Sequence, residues 1–300
     1  MTDPLRPHLL DMLADPVTAE GLILIGGHGL RLKQQLLMER GARTLFEVLP
    51  EARATIDLDF FLKVEFLMRA ERGRAVRRRL DELGYEALTP NMQFCKPLSP
   101  GAPDQQVKVD ILSRLPEGDE TKHVWVRGER VRSRQNADLH GRQAPEAFAV
   151  EDSPDSVPLQ GLCSDGTRFA GEVCVPNAYS WLNLKVAAAG DWLRATDTER
   201  REKARKHVFD VLVLVAMLTE EELTQCMAVR DRYLEHPRAA TVRGDAVDLF
   251  GTASSPGVAE IRRQVGDLDH PTFWEAVRTV LGIGPTLNGA PAGRVYSYLP

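Results

Sequence analysis

The chain has 300 residues, 43% of them hydrophobic and 27% charged, ordinary values for a globular protein with a full core and a length that suggests about two domains. This composition excludes a disordered tail protein, a collagen-like repeat and a small disulfide-stapled scaffold. With 38 Lys plus Arg against 43 Asp plus Glu, the net charge of −5 excludes purely electrostatic nucleic-acid binding but allows a local basic patch.

In chain order, residues 5–15 read as a short helix. The N-terminal residues 1–16 carry Asp3, Asp11, Asp15 and three prolines, with no basic stretch leading an apolar one, so a signal peptide is not expected. Leu22 to Ile25 is a compact apolar run that ends on Gly26-Gly27, the pattern of a buried strand entering a glycine turn. Leu30 to Arg40 then reads as a helix. Thr55 to Leu62 alternates as a strand, with Ile56, Leu58 and Phe60 on one face and Asp57 and Asp59 on the other. Residues 64–84 form a strongly basic helix that stops at Gly84. Gln93 to Lys96 and Gln106 to Leu112 are strands joined by a loop with Pro97, Pro100, Gly101 and Pro103. Residues 116–155 are polar and irregular, with one candidate strand at Val124 to Val126. Leu159–Leu162 and Glu172–Val175 form a hairpin around Ser164 to Thr167.

After Pro176 the pattern turns helical, over 177–195, 198–218, 219–235 and 270–281. Ser254 to Gly257 reads as a loop, and Leu287 to Gly293 as a Gly/Pro-rich tail. The expected fold is α+β, with a mixed sheet and flanking helices over 1–176 and a helical domain over 177–300. The longest apolar stretch, Val211 to Leu218, is eight residues, against the ~20 needed to span a bilayer. A cytoplasmic monomer with no membrane partner is the expectation. Of the four cysteines, none is spaced as Cys-x-x-Cys; Cys163 and Cys174 flank the hairpin and could face each other across it as buried thiols.

Asp57 and Asp59 carry the strongest chemical signal. Residues i and i+2 of a strand point the same way, so two carboxylates stand side by side and repel unless a cation lies between them. Hard oxygen donors favour Mg2+ or Mn2+. A second alternating strand, Val107 to Leu112, places Asp110 opposite its apolar face. If it neighbours the first, Asp110 completes a group of three carboxylates suited to in-line attack on phosphorus. Gly26-Gly27 lies between a buried strand and a helix, where a backbone can approach an anion and offer it free N–H donors.

In this order, Leu22-Ile23-Leu24-Ile25-Gly26-Gly27, Arg53-x-Thr55-x-Asp57-Leu58-Asp59-Phe60 and the strand bearing Asp110 resemble the nucleotidyltransferase superfamily related to DNA polymerase beta. Val175-Pro176, Asn183-Leu184-Lys185-Val186-Ala187 and Lys206-His207-x-x-Asp210 narrow the resemblance to AbiEii/MenT-type nucleotidyltransferases, many of them toxins of toxin–antitoxin pairs. It covers roughly residues 20–216. The resemblance implies a nucleotidyltransferase-like fold, Asp57 and Asp59 as metal ligands, and Asp110 as the third carboxylate, aiding deprotonation of the acceptor. Gly26 and Gly27 would hold a nucleoside triphosphate, Lys185 would reach its phosphates, and Lys206 and Asp210 would line the same cleft. It further implies an RNA acceptor, the 3′ end of tRNA, and a cognate antitoxin protein as partner.

Three features depart from that family. His28 stands where relatives carry Ser or Thr, Ala42 to Ala52 reads as an insertion ahead of the aspartate strand, and Gly190-Asp191-Trp192 replaces a basic residue for which Arg194 is the candidate substitute. A buried Lys185 requires an anionic partner; Lys206 and Asp210 could instead pair with each other. Two other readings stay open: a nucleotide-binding regulatory module without catalysis, and a small-molecule nucleotidyltransferase of the antibiotic-modifying kind. Finally, Lys63 to Arg79 has a net charge of +5 and Lys122 to Arg142 of +4. Each is either a track for an RNA backbone or a solvated surface paired with acidic neighbours.

Overall fold

The computed structural model describes residues 3–284 apart from 54, 90, 100–104 and 136–137. The chain is α+β, a mixed sheet with flanking helices followed, after Val175, by helices alone among the described residues. Helices α1 (Arg6–Leu13) and α2 (Pro16–Gly21) lead into strand β1 (Leu22–Ile25), and helix α3 (Gly26–Glu39) begins directly on its end. Strand β2 (Asp57–Leu62) is followed by α4 (Val64–Met68), α5 (Ala70–Glu82), β3 (Glu86–Thr89), β4 (Gln93–Pro97) and β5 (Gln106–Ser113). Three short strands come next, β6 (Val124–Arg127), β7 (Arg130–Ser133) and β8 (His140–Gln143), then a 3-10 turn at Pro145–Ala147 and the hairpin β9 (Asp155–Leu162) and β10 (Arg168–Val175). Helices α6 (Ala178–Arg194), α7 (Thr198–Ala216), α8 (Glu220–Tyr233), α9 (Pro237–Phe250), α10 (Pro256–Val265) and α11 (His270–Leu281) complete the described chain.

The sheet runs β6-β7-β8-β5-β2-β1-β10-β9, with β4 pairing the remaining length of β5 and β3 pairing β4. Strand β2 lies at its centre, antiparallel to β1 and parallel to β5. Period-two alternation then sorts the side chains. Leu58, Phe60 and Leu62 share a face with Leu22, Leu24, Val107, Val109 and Ile111 and form the main core with Val76 and Leu80 of α5. On the opposite face Phe61 joins Ile23 and Ile25, Ala144 and Ala147, and Leu184 of α6 in a small cluster. That second face carries Asp57, Asp59 and Asp110. A third cluster, from Val186 through Val211, Phe250 and Phe273, holds the helices together and takes in Phe148 and Ala149 from before the strand-to-helix change.

Several expectations are revised. Ile56 lies before β2 begins and is 64% exposed, so it is not part of the buried face. The basic helix of 64–84 breaks at Arg69, whose φ of −107° and ψ of 94° are extended rather than helical. The expected strand at Val124 to Val126 is β6, but the rest of 116–155 is not irregular, since it also contains β7 and β8. Helices α9 and α10 were not expected. Cys174 lies opposite Ser156 and Cys163 lies in the turn beyond β9, so the two thiols do not face each other. Pro100, Gly101 and Pro103 of the β4–β5 loop, and the 287–293 tail, lie outside the described residues. No helix among the described residues is long and apolar enough to cross a membrane.

Candidate functional site

The site is built where three strands meet end to side. Register sets Ile25 at the end of β1 opposite Asp59, and Asp59 opposite Asp110 across the parallel β2–β5 pair. Asp57 lies opposite Lys108 and Asp110 opposite Gln93, so Lys108 and Gln93 share this face. Asp59 and Asp110 are thus direct cross-strand neighbours, with Asp57 two residues along the same side.

For Asp59 and Asp110, removal from water and the neighbouring carboxylates both raise the pKa. Burial, then the neighbouring Asp110, pushes the Asp59 carboxyl up to about 6, with Lys185 acting the other way. Burial also raises the Asp110 carboxyl, opposed by a hydrogen bond that Gln93 Nε2 donates to its Oδ1 at 2.8 Å and by Arg142. One oxygen of Asp57, Oδ1, is buried without a hydrogen-bond partner. A buried carboxylate oxygen with no hydrogen-bond partner, beside a carboxyl of raised pKa, is a donor set that a cation would satisfy.

Gly26 follows directly. Its φ of 75° is left-handed, and a Cβ placed there would lie 2.1 Å from Asp59 Oδ2. Only glycine fits both constraints. Gly27 is under no such constraint, since a Cβ there would make only ordinary contacts at 3.5 Å with Arg53 and Thr55. Helix α3 starts on these glycines with no side-chain cap, leaving first-turn N–H groups without a partner from the helix and at the positive end of its dipole. His28 does not replace the hydroxyl of the resembled family at this turn. It is buried, its Nδ1 turned toward Asp3 at 3.6 Å, and its pKa is lowered chiefly by burial.

Across from the carboxylates, helices α6 and α7 bring in Lys185 and Asp210. Asn177 caps α6 by accepting from the Ser180 backbone at 2.9 Å, about two turns before Lys185. Lys185 Nζ donates to Asp210 Oδ2 at 2.8 Å. Arg53 adds a two-point contact, Nε to Oδ1 at 2.8 Å and Nη2 to Oδ2 at 2.7 Å, and His207 Nδ1 lies 3.1 Å from Oδ2. Burial alone would raise the Asp210 carboxyl, but Lys185, His207 and Arg53 together hold it well below the usual carboxylate range. Asp210 is therefore an enclosed anchor for cations, 1% exposed, rather than a group open to a nucleotide. Lys206, one turn earlier, is exposed and makes no ion pair or hydrogen bond among the described residues; the possible Lys206–Asp210 pair does not form. Arg194 is likewise placed elsewhere, on Asp245 and Asp191.

Sequence reasoning missed Arg53, Gln93, Lys108, Arg142 and His207. Arg53 and His207 stand inside the quoted motifs, so their signal was present without a partner to explain it. Gln93, Lys108 and Arg142 become visible only through register, since three separate strands bring them to the carboxylates.

Among the described residues no three His, Cys, Asp or Glu side chains are gathered as a ready metal cluster. The donor chemistry nonetheless suits a hard divalent cation: three carboxylates on one face, one with an unpartnered buried oxygen. A separate groove of about 810 Å³, between α3, β9 and the start of α8, is lined by Lys33, Arg40, Asp155 and Glu222 and does not include these carboxylates. Its buried Lys33 is already paired with Asp155 at 3.1 Å and with Glu222.

No protein-family model matches the chain, and no curated protein matches it. Among solved structures it is similar to the solution structure of the antibiotic-resistance factor ANT(2'')-Ia, at 12% identity and a TM-score of 0.33, over 78% of this chain and 100% of that one. A likeness at that level carries no functional assignment.

Proposed function

We propose that this chain is a nucleotidyltransferase, moving a nucleoside monophosphate from a nucleoside triphosphate to an acceptor hydroxyl. The observation that carries the reading is the cross-strand meeting of Asp59 with Asp110, with Asp57 on the same face and Gly26 pressed against Asp59. Residues 1–176 then supply the carboxylates and the glycine turn, and the helical domain 177–300 supplies Lys185.

Asp57, Asp59 and Asp110 are the residues that would hold a divalent cation, Mg2+ or Mn2+. Bound there, such an ion would neutralise triphosphate charge and make a bound hydroxyl more acidic. The first-turn N–H groups of α3 at Gly26 and Gly27 face phosphate oxygens, and Lys185, steered by Asp210, adds positive charge to the same side. Asp110 accepts the proton of the acceptor hydroxyl, a role that its raised pKa suits. The acceptor oxygen bonds to the α-phosphorus as the bond to the β-phosphate oxygen breaks, and pyrophosphate leaves. By the resemblance of its motifs, the acceptor is the 3′ end of tRNA and the protein is the toxin of a toxin–antitoxin pair.

The test is transfer of label from each of four α-labelled nucleoside triphosphates, with Mg2+, to total RNA, to protein and to a panel of small hydroxyl compounds. Label on RNA with matching pyrophosphate release, lost in Asp57→Asn/Asp59→Asn, is expected. Equal labelling by the double variant would remove the assigned site. Triphosphate binding with no pyrophosphate release on any acceptor would make the chain a binding module, and label confined to a small compound would make it a small-molecule enzyme.

A further inference from the structure

We infer that the β6–β8 wing of the sheet is a docking track for a single-stranded polynucleotide, with Trp125 and the arginines around it as its platform. The inference rests on the nucleotidyltransferase reading only for where the strand ends, at the carboxylates.

The two basic segments of the chain differ in what meets them. On α5, packed against the main core, most arginines are neutralised or tied to backbone. Arg72 meets Glu20 and Glu65, Arg77 meets Asp81, and Arg79 meets Glu82 and the Asp11 carbonyl. On the wing the pattern reverses. The guanidinium groups of Arg127, Arg134 and Arg132 lie 4.3, 5.1 and 5.4 Å from the Trp125 ring. None of these three, nor Arg130, has an ion pair among the described residues. A π face orients a guanidinium without cancelling its charge, whereas a carboxylate does both. Trp125 therefore gathers three cations and leaves most of their N–H donors free. Arg134 gives one donor to the Thr121 carbonyl, and Arg132 keeps a buried Nε with no partner.

Register carries this platform to the site. Leu112 lies opposite Arg142, Arg142 opposite Arg130, and Arg130 opposite Arg127, while Arg132 lies opposite Trp125. Directly opposed residues share a face of a sheet. Leu112 is on the face of Asp110, two residues away, so Arg142, Arg130, Arg132, Arg127 and Trp125 continue the carboxylate face outward. Val131, on the reverse side, is wholly buried in the main core and confirms the alternation. Three strand spacings of ~4.8 Å separate β5 from β6, about 14 Å in all. Arg142, on β8, sits between the carboxylate strand and the outer arginines, opposite Leu112 on one side and Arg130 on the other.

A row of uncancelled guanidinium groups with planar faces fits alternating phosphates and bases. Guanidinium and indole planes stack on bases, and the N–H donors take phosphate oxygens. A folded acidic protein surface offers the charge but not the flat π partners, so the polynucleotide is favoured. Glu129, in the β6–β7 turn, is the acid carried by this hairpin.

The experiment is fluorescence anisotropy of the full chain with a short fluorescein-labelled single-stranded RNA, without metal or triphosphate, over a range of salt. Wild type is expected to bind with a steep salt dependence. The triple variant Arg127→Ala/Arg132→Ala/Arg134→Ala is expected to bind at least about tenfold more weakly, with the log–log salt slope reduced by about 2, from ~0.7 per lost phosphate contact on single strands. Trp125→Ala is expected to weaken binding about tenfold and Trp125→Phe far less. Should the triple variant melt early, Arg127→Glu/Arg130→Glu, both exposed, serves as the second variant. The Asp57→Asn/Asp59→Asn protein separates the two readings, because it is expected to keep RNA binding while losing transfer. Triple-variant affinity equal to wild type, or competition by poly-aspartate as strong as by unlabelled RNA, would overturn the inference.

Discussion

Asp59→Asn is predicted to stabilise the metal-free protein at pH 7.5. The Asp59 carboxyl titrates at about 6 in the fold, because of burial and then Asp110, against 3.8 for the unperturbed group. A raised carboxyl pKa means the folded state holds the proton more tightly than the unfolded chain. Stability therefore falls as pH rises from about 4 to about 6 and stays at the lower level above that. Two pKa units at ~1.4 kcal/mol each give up to about 3 kcal/mol that ionised Asp59 costs the fold. Asparagine has the same shape and no charge, so it removes this cost above pH 6 and changes little at about pH 3, below both pKa values. The assay is urea unfolding in EDTA at pH 5.0, 6.0 and 7.5. The difference between variant and wild type should grow across that series, and adding Mg2+ should narrow it by stabilising wild type alone. A variant no more stable than wild type at pH 7.5 in EDTA would refute the reasoning.

Further predictions follow from the same geometry. Asp210→Ala leaves Lys185 and Arg53 without their shared carboxylate and should cost about 3–5 kcal/mol in urea unfolding. Gly26→Ala forces a left-handed φ on alanine, at about 1–2 kcal/mol, and drives a methyl into Asp59. Transfer should fall at least about a hundredfold from the misplaced carboxylate, measured as pyrophosphate release, while far-ultraviolet circular dichroism stays unchanged. Lys33→Met strands Asp155 and Glu222 in the separate groove. It should cost about 3–5 kcal/mol and leave triphosphate affinity by calorimetry unaltered.

The central sheet and its carboxylates were legible in the sequence because β1, β2 and β5 alternate or run apolar without interruption. Glycine at position 26 was legible as a turn, and the structure adds that a Cβ there would strike Asp59. Strand β7 escaped notice because Arg130 and Arg132 fill one face and only Val131 on the other is apolar, and β8, His140-Gly141-Arg142-Gln143, because it has no apolar side chain to alternate. Helix α9 escaped because its buried face is built largely from small residues, Ala239, Val242 and Ala246, before Leu249 and Phe250; the proline that opens it was the remaining signal. The ion cluster around Asp210 could not be read at all from spacing. Arg53 is 157 residues away in the chain, and only the packing of α7 against the loop before β2 brings them together.

Electron paramagnetic resonance of Mn2+ bound to the full chain, titrated with and without a nucleoside triphosphate, tests the three-carboxylate centre most directly. Wild type should bind Mn2+ with an affinity that rises when triphosphate is present and falls as pH drops through 6. Asp57→Asn, Asp59→Asn and Asp110→Asn should each abolish or sharply weaken that signal. Mn2+ binding that survives all three substitutions unchanged would contradict the account.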